Sequence, residues 1–337
     1  MSKDITNPAQ PVFDELLEHI QQARAKAFRQ ANTTLIDLYW RIGKTIHHKV
    51  QTEAWGKGVV AELARYIAQQ APEAKGFSDK NLWRMKQFYE TYREDEKLST
   101  LLRELPWSHN LAIFARCKSA EERAFYLELC IREKYSFREL DRQISASFFE
   151  RSRMGTTLSP LARTVHPEAN QVFKDHYVLE FLGLPETHSE RDLQNALLQH
   201  TKAFILELGR DFIFMGEQYR LQVGNQDFYL DLLFYHRGLS ALVAFELKIG
   251  KFSPEHLGQL NFYLEALDRD VKKPHENPSI GVLLCRDKDE EVVEYALSRN
   301  LSPALIAQYQ LQLPDKKLMQ AKLHEWMQTL PDFTPEP

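Results

Sequence analysis

Residues 226–248 read Gln226-Asp-Phe-Tyr-Leu-Asp-Leu-Leu-Phe-Tyr-His-Arg-Gly-Leu-Ser-Ala-Leu-Val-Ala-Phe-Glu-Leu-Lys248. Two runs rich in aromatic and branched side chains flank Gly238, the pattern of a β-hairpin. Gly238-Leu239 suits a two-residue type II′ turn, which wants glycine first. In that register the numbers of facing residues sum to 477, so Arg237 faces Ser240 and Asp231 faces Glu246. Lys248 lies two residues beyond Glu246, and the period of two puts it on the same side, with Tyr229 opposite. The other side (Phe228, Leu230, Leu232, Phe234, Val243, Phe245, Leu247) is expected to be core.

Asp231, Glu246 and Lys248 are charges in an otherwise apolar hairpin, where burial is costly unless each is compensated. Facing carboxylates raise one another's pKa unless a cation lies between them. Oxygen ligands in this number suit Mg²⁺, which takes few carboxylates and keeps several waters. An ammonium beside them can position water and stabilise charge building on a phosphate. This is chemistry for metal-assisted phosphodiester hydrolysis. A salt bridge from Lys248 to one carboxylate is the other reading of the same three residues.

Asp231 followed across a hairpin by Glu246-Leu-Lys248 resembles the core of the PD-(D/E)XK nucleases. The runs Asp231-Leu-Leu-Phe-Tyr-His-Arg, Phe245-Glu-Leu-Lys-Ile-Gly-Lys-Phe252 and Gly258-Gln-Leu-Asn-Phe-Tyr-Leu264 resemble the YhcG-type members of bacteria over nearly the whole chain. The resemblance implies a restriction-endonuclease-like fold, DNA as substrate, Mg²⁺ (or Mn²⁺) as cofactor, and a role in repair, recombination or defence. It implies Asp231 and Glu246 as metal ligands, Lys248 as the group that positions the attacking water, and Gln259 as a residue orienting substrate or water. Glu190 is the candidate for a further ligand from the preceding helix. As an acid in a first helical turn it also simply complements the helix dipole. Gln194 stands where the family is expected to carry a second glutamate.

The 337 residues leave room for about two domains. No apolar run approaches the roughly 20 residues of a membrane span, and the polar start shows no signal peptide, so a cytoplasmic protein is expected. Three scattered cysteines, Cys117, Cys130 and Cys285, fit neither a disulfide framework nor a Cys-x-x-Cys metal site. The net charge of −4 divides unevenly: residues 1–165 hold 26 Lys+Arg against 21 Asp+Glu, and residues 166–337 hold 17 against 26. The mildly basic first half suits a phosphate backbone, and so does a merely solvated helical surface.

That first half reads as helical. Apolar spacing predicts one long helix, or a helical hairpin, over Val12–Val50, packing a bundle or a dimer. Helices over Val59–Gln70 and Lys80–Tyr92, joined through Gly76 with Ser78 or Asp79 as cap, suggest a helix-turn-helix. Lys80, Asn81, Arg84, Lys86 and Gln87 on the second, mixed with Trp83 and Tyr89, are candidates for contact with nucleic acid. Trp107 and His109 are read as packing residues. Ser152–Pro167 loses periodicity and is read as a linker, so the boundary is drawn near 165: 1–165 a helical DNA- or partner-binding domain, 166–337 the nuclease domain.

In the second half the spacing predicts a helical segment over Ala169–Tyr177 and a helix over Thr187–Leu208, capped by Ser189 with Asp192. Strands follow over Asp211–Val223, the hairpin, Ser279–Cys285 and Ala304–Gln310. Helices are expected over Pro254–Leu267, Asp287–Leu297 and Lys316–Leu330. Gln259 and Tyr263 share a helix face; His256 is a weaker ligand candidate. The fold class is α+β overall: an all-α half, then a mixed α/β sheet. A metal-dependent deoxyribonuclease is expected, acting as a homodimer because two strands must be cut. The alternative is a non-catalytic nucleic-acid-binding or protein-interaction subunit on the same scaffold.

Overall fold

The computed structural model describes residues 10–53, 55–154 and 156–329. The chain forms two compact units, Met1–Asp141 and Arg142–Pro337.

The first unit is helical: α1 (Gln10–Thr52), α2 (Lys57–Gln70), α3 (Asp79–Tyr92), α4 (Glu96–Leu102), α5 (Trp107–Arg116), α6 (Ala120–Glu133), and the start of α7 (Phe137–Ser145). Between Pro11 and Gly43 α1 contains neither Gly nor Pro, so nothing interrupts its 43 residues. Gly43 itself marks the closest approach of α1 to α3, since a Cβ there would overlap the Met85 carbonyl. Around this crossing Trp40 meets Phe88 and Tyr89, and Tyr39 meets Trp107, in tilted and edge-on contacts. Ser78 caps α3 as expected, accepting from the Asn81 N–H. Trp107 and His109 do pack: Trp107 donates to Asn81 Oδ1, and His109 is buried with Nε2 2.9 Å from the Tyr135 carbonyl. On α3, Lys80, Arg84 and Gln87 are exposed, whereas Lys86 bonds Glu90 at 2.7 Å.

The second unit is built on one six-stranded sheet. Its strands are β1 (His176–Val178), β2 (Phe212–Val223), β3 (Gln226–His236), β4 (Ala241–Lys251), β5 (Asn277–Asp287) and β6 (Ala304–Gln310), in the order β1-β6-β5-β4-β3-β2. β4, β5, β6 and β1 run parallel; β2 and β3 are antiparallel additions at one edge. Parallel neighbours need crossovers. α13 (His256–Ala266) connects β4 to β5, and α14 (Glu290–Ser298) connects β5 to β6. α13 and α14 contribute to an apolar cluster on one face, while α11 (Glu190–Gln199) and α12 (Thr201–Leu208) contribute to another on the opposite face. With both faces covered, the central strands are apolar on both sides, which is why β4 and β5 read as near-continuous hydrophobic runs. The remaining α-helices among the described residues are α8 (Phe148–Arg153), α9 (Pro160–Val165), α10 (Ala169–Val172) and α15 (Lys316–Thr329).

Away from the hairpin, three sequence expectations need correction. Residues 156–165 are not a linker. Leu158 bridges Leu305, and Ser159 Oγ accepts from the Ala162 and Ala304 amides while donating to the Ser302 carbonyl. Ser159-Pro160 is loop chemistry in sequence, but the same pair is an N-cap followed by a proline at the first helical position. The segment read as a helix to Tyr177 ends at Val172 and gives way to β1, three residues held in register by β6. The helix over Thr187–Leu208 is two helices that meet at His200, although the capping box of Ser189 and Asp192 is present.

Candidate active site

The hairpin keeps the expected register by a different turn. The pairs Leu232↔Phe245 to His236↔Ala241 all sum to 477. Gly238 does not take the positive φ of a type II′ turn; Ser240 does, at φ 48°. Four residues close the loop, with the Ser240 N–H donating to the Arg237 carbonyl at 3.2 Å and the Leu239 N–H to His236 Nδ1 at 3.0 Å. Because Arg237 and Ser240 close it symmetrically, the pairing beyond is that of the shorter loop.

The β3–β4 ladder stops at Leu232↔Phe245, one pair short of Asp231 and Glu246. Asp231 therefore does not face Glu246 as a ladder partner. Its carboxylate reaches toward β4 instead, and Oδ2 accepts the Leu247 N–H at 2.9 Å. On its other side Oδ1 accepts from Gln218 Nε2 at 3.2 Å. Gln218 stands opposite Asp231 on β2 in the left-handed region, at φ 40°. The alternation of β3 breaks at this point. Leu232 and Phe234 pack on the α11–α12 face, but Leu230 and Phe228 pack on the α13 face, where Phe228 meets Phe262. The single core face expected for the hairpin is thus two. Tyr229 lies beyond the end of the β3–β4 ladder, so it is not a ladder partner of Lys248; it pairs with Arg220 on β2 and is half-exposed.

Glu246 and Lys248 do share a side. Lys248 Nζ lies 3.0 Å from Glu246 Oε1. Glu246 is only 3% exposed, and its Oε2 is buried with no hydrogen-bond partner among the described residues. Burial, reinforced by the charge of Asp231, pushes the Glu246 carboxyl up to about 7 despite Lys248. Burial also raises Asp231, with Glu190 adding to the effect and the Leu247 N–H and Lys248 opposing it. Burial alone would lower the Lys248 ammonium, but Glu246 more than offsets this and holds it raised.

Gln259 and Tyr263 share a face of α13 as expected, and Gln259 Nε2 donates to Tyr263 Oη at 2.8 Å. Tyr263 is buried and feels the charges of Glu246, Asp231 and Lys248, so this face borders the site. His256 Nδ1 accepts the Ser253 N–H, which makes it part of the turn into α13. Glu190 opens α11, exposed, with its charge felt at Asp231 and Glu246. It is not gathered into a ready-made ligand set: among the described residues no three His, Cys, Asp or Glu side chains stand together as a cation site. Two buried carboxylates already repel a third, and a first-turn acid is stabilised where it stands. Two residues around Asp231 lay outside the sequence expectations as supports. Gln218 has been described, and Gln194 Nε2 donates to the Asp231 carbonyl at 3.3 Å.

An unpartnered buried oxygen beside a second carboxylate fits a divalent cation that takes two protein oxygens and completes its shell with water. Below about pH 7 such a cation must displace a proton from Glu246. Metal-free, the raised carboxyl binds its proton in the folded state and releases it on unfolding between about pH 4.5 and 7. Folding then favours the protonated form, and stability from this group falls as pH rises through that window, by up to about 1.4 kcal/mol per unit. In EDTA, the stability advantage of the Glu246→Gln variant over the parent is expected to widen from pH 5 to pH 7. Urea unfolding at several pH values measures it, and a constant difference contradicts the raised carboxyl.

The described helices include none long and apolar enough to cross a membrane. Residues 170–324 match the model of the YhcG PDDEXK nuclease domain, and residues 15–151 that of the DUF1016 N-terminal domain. The chain is 32% identical over 362 aligned positions to the Escherichia coli (strain K12) protein described as "Putative nuclease YhcG", covering 96% of both chains. Among solved structures, a repair endonuclease from Pyrococcus abyssi overlaps 38% of this chain and 49% of its own at 14% identity and TM-score 0.26. The EndoMS–dsDNA2 complex overlaps 38% and 47% at 16% identity and the same TM-score. Overlaps of that size carry no functional argument.

Proposed function

The chain belongs to the YhcG-type family of PD-(D/E)XK nucleases, and we propose that it hydrolyses phosphodiester bonds in DNA with Mg²⁺, in repair, recombination or defence. The observation that carries this reading is the Oε2 of Glu246, buried beside Asp231 with no hydrogen-bond partner among the described residues. A structural salt bridge accounts for Glu246 Oε1 and Lys248 but gives no reason to bury the second oxygen without a donor.

Asp231 and Glu246 would hold the cation, which when bound polarises the scissile phosphate and lowers the pKa of water. Asp231 is fixed from two strands, by the Leu247 N–H and by Gln218. Lys248 keeps Glu246 oriented and offers a positive charge at the edge of the site, where an attacking water can be positioned and developing charge on phosphate stabilised. Gln259, set by Tyr263, and Glu190 serve as supports at the rim. In residues 1–165, Lys80, Arg84 and Gln87 of α3 are the side chains proposed to grip the duplex backbone. Two strands require two cuts, so a pair of chains acting together belongs to the reading.

Incubation of the full chain with supercoiled plasmid, linear duplex and single-stranded RNA tests it. Nicking or cutting of DNA with Mg²⁺, abolished by EDTA, is the expected outcome. No cleavage with Mg²⁺ or Mn²⁺ sinks the enzymatic reading, and cleavage confined to RNA sinks the assignment to DNA.

A further inference from the structure

We propose that the N-terminal half of α1 is an interaction surface for a second copy of this chain, packed against it antiparallel. From Asn32 onward α1 is tied into its own unit: Asn32 Nδ2 donates to the Arg103 and Leu105 carbonyls, and Arg103 bonds Asp37 at 2.7 Å. Before that point the large apolar side chains face outward. Val12, Phe13, Leu16, Leu17, Ile20 and Phe28 are each more than half exposed. At 3.6 residues per turn they fall on one side of the helix, and Ala23, Ala27 and Ala31 continue the same stripe. An apolar stripe of this length, interrupted by Arg24 alone, marks a surface that another element covers.

The identity of the occupant is written in how size and charge are distributed. Five of the six bulky residues lie in positions 12–20, Phe28 being the exception, and the alanines lie in positions 23–31. Positions 12–20 contain Asp14, Glu15 and Glu18 but no Lys or Arg; positions 21–31 contain Arg24, Lys26 and Arg29 but no Asp or Glu. A parallel copy would set large on large and like charge on like. An antiparallel copy sets the mostly bulky, acidic half on the mostly small, basic half, twice, as a two-fold axis requires, with Phe13 on Phe28 the one large pair. Glu15 and Lys26 are eleven positions apart, about three turns, and so share one flank of the stripe. Centred between Ile20 and Gln21, the antiparallel pair places Glu15 against Lys26 of the partner and Phe13 against Phe28 of the partner. This surface does not depend on the nuclease reading.

Light scattering or sedimentation of the full chain, without DNA and over a range of concentrations, tests it. The parent chain is expected to be a dimer. Leu16→Glu with Ile20→Glu is expected to give a monomer with unchanged far-UV helicity and thermal unfolding, since both positions are exposed. Glu15→Lys and Lys26→Glu each turn two attractive pairs into repulsive ones and are expected to weaken the dimer roughly tenfold. Combined in one chain they restore the pairs with signs exchanged, and the dimer returns. A monomeric parent overturns the proposal. So does a dimer indifferent to Leu16→Glu with Ile20→Glu, which places the contact elsewhere. A combined charge exchange that fails to recover what the single exchanges lost also overturns it, and that result holds even if the apolar variant does not fold.

Discussion

Replacing Lys248 by alanine is expected to cut the rate of DNA cleavage by about 100- to 1000-fold, the scale seen when one charge-stabilising donor is removed from an active site. The side chain is 16% exposed and stands near the end of β4, and its bond is to Glu246. Its removal leaves no cavity in either apolar cluster, since it belongs to neither. The fold is therefore expected to stand, with thermal unfolding close to that of the parent. The consequence falls on Glu246, which loses the cation bonded to its Oε1, and on the phosphate, which loses positive charge. Asp231→Asn provides the matching control on the other carboxylate. An amide oxygen can still accept the Leu247 N–H, so the strand geometry is retained while the negative charge is removed. That variant is expected to lose cleavage together with Mn²⁺ affinity, read by calorimetry, whereas Lys248→Ala retains measurable affinity. Undiminished cleavage by Lys248→Ala removes this lysine from the chemistry, and undiminished cleavage by both variants moves the active site elsewhere.

The largest effect on stability is expected at Glu207, far from any motif. Its carboxylate is fully buried and accepts from Arg151 at 2.7 Å, Arg142 at 3.0 Å and the Val178 N–H at 3.1 Å; Lys174 lies 3.7 Å away. Arg142 also forks onto Glu180, and Arg151, itself fully buried, donates to the Ala146 and His176 carbonyls. Burial alone would raise the Glu207 carboxyl, but Arg151, Lys174 and Arg142 together hold it far below the usual carboxylate range. A depressed carboxyl contributes stability that is present above its unfolded value of 4.5 and is lost only as pH falls toward the folded one. Glu207→Ala leaves buried cations uncompensated, which costs about 3–5 kcal/mol. Chemical denaturation at neutral pH is expected to show the second unit losing that much, and Glu207→Gln somewhat less. A loss under about 1 kcal/mol, the scale of an exposed ion pair, contradicts the role assigned to this network.

What could be read in the chain was what repeats over short distances. The period of two put Glu246 and Lys248 on one side, and complementary runs about Gly238 fixed the register even though the turn itself is of another kind. Caps written in serine, at Ser78 and Ser189, announced their helices. The rest depended on partners distant in sequence. Where β3 parts from β4, Asp231 is held by Gln218, thirteen residues before it, in a left-handed conformation that glutamine does not advertise. The switch of Leu230 and Phe228 to the other face requires helices on both sides of the sheet. β1 exists because β6 pairs with it, and its three residues are too few to alternate. The Glu207 network joins residues spread over 65 positions, each unremarkable alone.

The irregularity that turns Asp231 toward β4 also governs how safely this sheet ends. β2 is the outermost strand, twelve residues long, with Ile213 and Met215 exposed along it. An unbroken margin of that length is a template onto which strands of other molecules add, the first step toward amyloid-like aggregates. The bulge between Phe214 and Gly216 and the left-handed Gln218 divide it into short pieces that no straight strand can follow. The same two interruptions that shape the surroundings of the Asp231 carboxylate therefore make this edge a poor template for added strands.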